Sequence, residues 1–459
     1  MAQITLRTKR IFYDRLLYIL IVLALGALGA LIIVLLTNAA QSEEPAGNAN
    51  SEPEQAMAAI NSFASGSDGS DGPLVLTGTG TIAFDPRTFD PPLDPDGDHV
   101  FNFTSITVGP NITVVLKSPY LQAPVYWLAT GDVQIDGIID LSGGDGHGIN
   151  DPVLGNRKIA IPGAGGYPGG IGESLPTNEE QPGSGPGGGG TQDGNNMHDG
   201  GGAGYSTTGS NCAAGNLCGQ VYGNAFLVPL IGGSGGGGGS FEGSNTNSAG
   251  GGAGGGALLI ASSTVITIDG TIKSNGGTGN GPKSSSAQGV GGSGSGGAIH
   301  LLAPIINGTG TLSALSFATN ANYGWGSKGR IRLDAFQHEF SGSADPTPVL
   351  GTLFALFLPN NQPSLKVVNI NGLAVPEVPT GEHGPSDVSL DTSAPVTVEV
   401  EAQYIPVGSM VTLHIYSENS GDQTISAPLV GTFEFSTTVL SATIPFGPSR
   451  FFVRSDWTP

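Results

Sequence analysis

The chain has 459 residues, a formal net charge of −21, 77 glycines and only 12% charged residues. This length predicts two or three domains. The excess of acidic residues excludes a nucleic-acid-binding protein, because phosphate contacts need clustered lysine and arginine. So much glycine with so little charge argues against a soluble helical enzyme and favours tightly turning β-structure.

The first predicted element is an apolar segment behind a basic stub. Leu16–Leu36 contains 21 residues without a charge, enough to cross a hydrocarbon core of ~30 Å as a helix. Basic residues in 1–15 place the N-terminus in the cytoplasm and the bulk of the chain outside it or at the cell surface. The alternative is a cleaved signal peptide, although its apolar core would usually be shorter. We therefore predict a transmembrane signal-anchor at 16–37, with the membrane as a partner.

The next segment, 38–72, is polar, acidic and rich in serine, glycine and proline. Such a composition cannot bury an apolar core. The segment is therefore predicted to be a flexible stalk.

Residues 73–345 contain short β-branched runs that recur. VQIDGIIDLSGG at 133–144 returns as VITIDGTIKSNGG at 265–277, and Ile306-Asn307-Gly308 is interpreted as a third copy of Ile-Asp-Gly. Recurring strands that end at glycine are typical of a solenoid, here a parallel β-helix. Because the first two copies are far apart, the segment between them must leave the stack and return.

That intervening segment, about 142–255, is predicted to be a glycine-rich lobe. In residues 231–260, 14 of 30 residues are glycine. One interpretation is a flexible linker. The other is a packed array of extended polyglycine-like strands, because glycine lets backbones approach closely. Interspersed aromatic residues favour the packed array, since a spacer would not need them.

The last region, 363–459, shows apolar and polar residues in alternation between turn signals. Val396-Thr-Val398-Glu-Val400 and Val411-Thr-Leu413-His-Ile415 are examples. This pattern predicts an antiparallel, Ig-like β-sandwich. The complete expectation is a mainly β protein with one N-terminal transmembrane helix, a solenoid bearing a lobe, and a terminal sandwich.

Several of these phrases together resemble a known group of proteins. GDVQIDGIIDLSGGDG, GGALLIASSTVITIDGTIKSNGG and the terminal SRFFVRSDW look like glycine-rich exported bacterial β-helix proteins, common in myxobacteria-like genomes and with a C-terminal β-sandwich. The resemblance implies a β-helix at the cell envelope and brings no catalytic residues. The lobe is also similar in composition to phage tail-tip adhesins.

Carboxylates are the candidates for catalysis, because β-helices often act on polysaccharides and glycoside hydrolysis needs two acids about 5–10 Å apart. Asp136 and Asp269 occupy the same position in the two repeated phrases, and adjacent coils would bring them together. The alternative is a turn, in which each carboxylate bonds nearby backbone. Asn307 occupies this position in the third copy. It favours the turn, because an amide suits a turn but cannot act as a catalytic acid.

A second acidic cluster lies in LDPDGDHV. Asp94, Asp96 and Asp98 alternate around Gly97, as in calcium loops that take oxygens from every second residue. The bidentate acid of an EF-hand is missing, and an ordinary acidic turn is the alternative. Ca²⁺ is the one cofactor that the sequence suggests.

Two further features are candidates for binding and for cross-linking. Tyr323 and Trp325 lie in a loop and are predicted to stack on sugars, whereas Trp127 is expected in the core. Cys212 and Cys218 are the only cysteines. Outside the cytosol such a close pair predicts a local disulfide.

These features favour a membrane-anchored, extracytoplasmic structural or adhesive protein that binds glycans or other envelope components. An enzyme is the less favoured class. The alternatives are a polysaccharide lyase or hydrolase on a β-helix, and a scaffold subunit of an envelope assembly. A groove with an acidic pair would favour the enzyme, exposed aromatic residues without acids would favour a binding protein, and an uncapped solenoid end would favour assembly.

Overall fold

The computed structural model describes most of the chain beyond residue 62. The described residues are 63–95, 97–148, 159–173, 180–191, 199–210, 218–241, 248–279, 289–317, 324–353, 356, 358, 363–376, 379, 386–417, 423–447 and 449–455. They form strands and extended runs, and the only helical turn among them is the 3-10 turn Pro86–Thr88. All of them belong to one compact unit, Asn61–Pro459.

The membrane part of the prediction is corrected by this structure. The predicted fold, localisation and membrane partner all rested on a transmembrane helix at 16–37, which lies outside the described residues. Within the described ranges no helix is long and apolar enough to cross a bilayer. A single-pass membrane protein is therefore not supported. A run of apolar residues indicates that a segment prefers an apolar environment to water. It does not by itself specify a helix.

Within the described residues, fifteen strands form a solenoid of six coils, and every strand pair in it is parallel. One sheet has the order β15-β13-β11-β8-β5-β3-β6-β9, with β1 paired to β3, and the other has the order β14-β12-β10-β7-β4-β2. The coils, in chain order, are β1 (Gly72–Leu76) with β2 (Gly80–Ala83); β3 (Val100–Val108) with β4 (Ile112–Val115); β5 (Val125–Ala129), β6 (Val133–Ile135) and β7 (Ile138–Asp140); β8 (Ala257–Ser262), β9 (Val265–Ile268) and β10 (Thr271–Lys273); β11 (Ala298–Gly308) with β12 (Thr311–Ser313); and β13 (Arg330–Phe340) with β14 (Ser343–Asp345), followed by β15 (Val349–Gly351).

The core of the solenoid consists of apolar columns that run from coil to coil. Strand alternation points every second side chain inward, and the register places inward residues of neighbouring coils directly over one another. One column contains Phe101, Trp127, Ile260, Leu301 and Leu333, all at most 2% exposed. Each such side chain contributes about 1.5–3 kcal/mol when buried, so the columns hold the stack together.

The repeated phrase marks coils that are adjacent in space. Ile135 pairs with Ile268 across β6 and β9, although the two residues are 133 positions apart in the chain. The third copy is in a different register from the one predicted. Asn307 pairs with Thr267, and it is Thr309 that lies opposite Asp269.

The two ends of the solenoid differ. At the N-terminal end, Phe84 packs against Phe89 and against Trp127 of the inner column, with ring centroids 5.5 and 5.2 Å apart. At the other end, Leu350 continues the inner column and is 60% exposed. The inner column is therefore covered at its first coil and open at its last.

The lobe is larger than predicted, because it also takes in described residues of 274–297 and 314–329. Its runs are not β-strands. Within 248–256, three successive backbone N–H groups donate to three different neighbouring segments. N–H groups that are three residues apart donate to the same segment. Those neighbours are 141–147, 167–173 and 289–295. A helix with three residues per turn and no internal hydrogen bonds has this geometry, which is the polyproline II conformation.

Glycine is required in the lobe because its runs are in backbone contact. A Cβ on Gly254 would lie 1.9 Å from the carbonyl oxygen of Gly233, and one on Gly251 would lie 2.0 Å from that of Gly236. The same run carries Ala249 and Ala253, which are completely buried. The described part of the lobe is thus a hydrogen-bonded bundle of polyglycine helices rather than a flexible linker.

The C-terminal part consists of two antiparallel sheets around a core of its own. The sheets have the orders β17-β16-β18-β22-β21 and β20-β19-β23, and Val398, Val400, Leu413, Ile415 and Leu440 fill the space between them. The strands are β16 (Ser364–Ile370), β17 (Leu373–Ala374), β18 (Val396–Gln403), β19 (Met410–Ser417), β20 (Gln423–Pro428), β21 (Val430–Gly431), β22 (Ser436–Ala442) and β23 (Ser449–Ser455).

Candidate functional site

A groove of about 1080 Å³ separates the lobe from the outer face of the three-stranded sheet β20-β19-β23. It is partly open to solvent and combines glycine and proline backbone with aromatic and polar side chains. This volume is at the upper end of the range for ligand sites. Its larger polar and aromatic lining residues are Asp98, Gln122, Tyr126, Tyr167, Thr191, Gln220, Tyr222, His414, Thr424, Phe452 and Arg454.

One wall of the groove is built by strand alternation in the sandwich. Leu413, Ile415 and Val453 point into the sandwich core, so the residues between them face outward. His414 pairs with Phe452 across β19 and β23, and Thr412 pairs with Arg454. The guanidinium of Arg454 reaches across the groove, where Nη1 donates to the carbonyl oxygen of Pro186 at 3.3 Å.

The opposite wall is held by two tyrosines whose rings are in contact at a tilt of 37°. The rings of Tyr205 and Tyr222 have centroids 4.5 Å apart. The Tyr222 hydroxyl donates to the carbonyl of Gly232 at 2.6 Å and accepts from the Ser234 hydroxyl at 3.0 Å. Burial raises the pKa of both phenols above their ordinary value, so both are neutral at physiological pH. Tyr222 therefore presents a fixed, uncharged ring at the groove.

The described lining of the groove contains one carboxylate, that of Asp98. Its Oδ1 accepts a hydrogen bond from the backbone N–H of Val100 at 2.8 Å. Glycoside hydrolysis by the usual route needs two carboxyl groups about 5–10 Å apart. Among the described lining residues there is no such pair.

Asp136 and Asp269 lie at turns of the solenoid and not in the groove. Asp136 follows β6, and its Oδ1 accepts from Nε2 of Gln134 at 2.5 Å. Asp269 follows β9, and its Oδ1 accepts from the N–H of Thr309 at 3.0 Å and from its hydroxyl at 3.1 Å. The two acids are neighbours on adjacent coils. Their hydrogen bonds are those of residues that join a turn to nearby backbone and side chains.

The acidic loop at 94–98 is arranged around its own backbone. Asp94 has a φ of 54°, and its two carboxylate oxygens accept from the N–H groups of Asp98 and His99, both at 3.0 Å. Asp96 lies outside the described residues. Nowhere in the described ranges do three or more acidic, histidine or cysteine side chains form a group that could hold a metal ion. The Ca²⁺ site stays a prediction from sequence.

Of the remaining sequence candidates, Trp325 and Cys218 lie on the described part of the lobe. Trp325 is 38% exposed, and its backbone bridges to Ser210, while Tyr323 lies outside the described residues. Cys218 is disulfide-bonded and lines the groove. Cys212, the other cysteine of the chain, also lies outside the described residues. Trp325 is not among the described residues that line the groove.

With this geometry established, comparison with known proteins adds no relative. No protein-family model, no curated protein and no solved structure matches the chain. The resemblance to glycine-rich exported bacterial proteins therefore stays a prediction, and function has to be argued from the site itself.

A buried ionic cluster lies on the outer face of the first sheet, where sequence reasoning did not expect one. Oδ2 of Asp334 lies 2.7 Å from Nε2 of His300, and its Oδ1 lies 2.7 Å from Nη2 of Arg332. None of the three residues is more than 6% exposed. The guanidinium of Arg332 also lies 5.0 Å from the ring centroid of Phe226. The cluster connects β11 and β13 to the chain that covers them, which is a structural role.

Acidification is expected to destabilise the protein through His300. Burial lowers the pKa of His300 below the ordinary value of 6.5, against an opposing effect of Asp334. As the pH falls, the unfolded chain therefore binds this proton before the folded chain does. The stabilisation is present above about pH 6.5 and is lost below it. In denaturant titrations, His300→Gln should lessen the fall in unfolding free energy between about pH 7 and pH 5, whereas His338→Gln, at an exposed position, should leave it unchanged. Equal slopes in all three proteins would contradict this assignment.

Proposed function

We propose that this protein is a non-enzymatic, adhesive polysaccharide-binding protein that holds a glycan chain in the groove. The observation that carries the proposal is the pairing of aromatic rings and polar groups on two facing walls whose described residues include a single carboxylate. The membrane anchor expected from sequence forms no part of this proposal.

The chemistry of sugars matches such walls. One face of a pyranose ring presents C–H groups that pack on aromatic side chains, and its hydroxyls need hydrogen-bond partners. Phe452 and Tyr222 offer rings on opposite walls, while Gln122 and Gln220 offer amides that both donate and accept. Because the groove is partly open to solvent, a polymer bound in it has room to continue beyond the groove.

The test is to incubate the full-length chain with a panel of neutral and acidic polysaccharides. Retention is measured by affinity electrophoresis, and cleavage by the release of reducing or unsaturated ends. We expect retention on at least one polymer without release of ends. Release of ends would make the protein a lyase or hydrolase, and no retention on any polymer would refute a binding function.

A variant at the sandwich wall locates the binding site. Phe452→Ala removes a ring from the groove and should weaken retention about three- to tenfold, since aromatic contacts of this kind contribute about 0.5–1.5 kcal/mol. Phe435→Ala is the matched control, because Phe435 is 47% exposed on the same sandwich and lies outside the groove. Equal retention of both variants would place binding elsewhere.

A further inference from the structure

Resting on the proposed function, we infer that the groove selects anionic polysaccharides, and that Arg454 pairs with their acidic groups. The acidic group that Arg454 contacts is a carboxylate or a sulfate, and it is carried on a sugar ring that packs on Phe452. The ligand class of the groove is thus narrower than glycans in general.

The position of the arginine is the first argument. Arg454 is exposed and lies two residues after Phe452 on β23, so both side chains emerge from the same face of the sheet. His414 pairs with Phe452 on the neighbouring strand, and its imidazole adds a further polar group beside the ring. An aromatic ring flanked by these two side chains can contact the apolar face of a sugar and its acidic substituent together.

The charge of the chain is the second argument. Lysine and arginine account for only 16 of the 459 residues, against 37 aspartates and glutamates. Among the described residues that line the groove, Arg454 is the only lysine or arginine and Asp98 the only acid. Arg454 therefore places a positive charge in the groove of a protein whose net charge is strongly negative. At physiological salt, repulsion from acids beyond about 8 Å is largely screened, so distant acids of the chain oppose this contact only weakly.

The geometry of guanidinium is the third argument. Its planar fork matches the two oxygens of a carboxylate or two oxygens of a sulfate, which a lysine ammonium cannot do. One of its N–H groups already donates to Pro186 on the far wall. This contact holds the side chain across the groove, where an entering chain would meet it.

The experiment compares polymers that differ in charge alone. The full-length chain is tested at about 0.15 M salt against polygalacturonate and its methyl ester, and against dextran sulfate and dextran. We expect at least one charged polymer to bind about tenfold more tightly than its neutral counterpart. A preference for polygalacturonate over its methyl ester identifies carboxylate as the recognised group. A preference for dextran sulfate over dextran identifies sulfate.

Arg454→Gln should abolish this preference, so that each charged polymer binds no more tightly than its neutral counterpart. Arg87→Gln is the control, because it removes the same charge from an exposed ion pair with Asp85 outside the groove. If neutral and charged polymers bind alike, the inference is overturned and the proposed function stands. If the charge preference persists in Arg454→Gln, the residue assignment is overturned, and if nothing binds, the proposed function itself has failed.

Discussion

Gly251→Ala should unfold the lobe or cost more than about 4 kcal/mol of unfolding free energy. The new Cβ would lie 2.0 Å from the carbonyl oxygen of Gly236 and 2.5 Å from its carbonyl carbon. Gly251 donates to Gly170, and Gly236 donates to Gly252, so neither backbone can move away without losing hydrogen bonds. Ordinary overpacking costs about 1–3 kcal/mol because side chains can shift, but here only backbone is available to move.

Gly250→Ala is the matched control in the same run. A Cβ there would meet its nearest atoms, in Gly170 and His147, at 3.3 Å. Alanine also has less freedom than glycine in the unfolded chain, so we expect this variant to stay within about 1 kcal/mol of the parent. Denaturant unfolding of both full-length variants provides the measurement. A similar loss in both would show that the bundle packing described for 248–256 is wrong.

The sequence reveals the coils but not their exact register. In β6 and β9 the inward isoleucines are flanked by polar residues and followed by Asp-Gly, so Ile135 and Ile268 could be matched directly. The third copy was misaligned by two residues, because INGTGT contains glycine at two positions two apart. A shift of two keeps every side chain on its original face, so hydrophobic pattern alone cannot distinguish the two registers. The hydrogen bond from Thr309 to Asp269 does so.

Composition predicts close backbone packing in the lobe but not which runs are neighbours. Runs without side chains carry no pattern of apolar and polar faces, and their neighbours are chosen by backbone hydrogen bonds to segments far away in the chain. The run 248–256, for example, bonds to 141–147 and to 289–295. Small residues are the only local signal, since Ala249 and Ala253 mark the places where a Cβ fits.

The groove could not be predicted because its walls come from distant parts of the chain. His414, Phe452 and Arg454 look like ordinary outward-facing residues of a sandwich strand, and nothing local shows that Pro186 and Tyr222 lie opposite. The same holds for Arg332 and Asp334, whose alternation on β13 is typical of a solvent-facing strand. Leu227, Leu230, Leu353 and Leu356 pack over that face and remove it from water.

Asp334→Ala is expected to cost about 3–5 kcal/mol, because it leaves the charge of Arg332 buried without its counter-ion. Asp334 is completely buried, forms an ion pair with Arg332 and is hydrogen-bonded to His300. Asp345→Ala is the control, since the ion pair of Asp345 with Lys328 has both side chains more than half exposed. An exposed pair of this kind contributes about 0–1 kcal/mol.

A double variant separates the charge from the packing. Arg332→Met with Asp334→Leu removes both charges and keeps apolar volume on β13, and replacement of a buried ion pair in this way is often neutral. We therefore expect the double variant to be more stable than Asp334→Ala in denaturant unfolding of the full-length chain. If Asp334→Ala costs no more than Asp345→Ala, the cluster is open to water. If the double variant is the least stable of the three, the carboxylate is needed for its hydrogen bond to His300, and not only to neutralise Arg332.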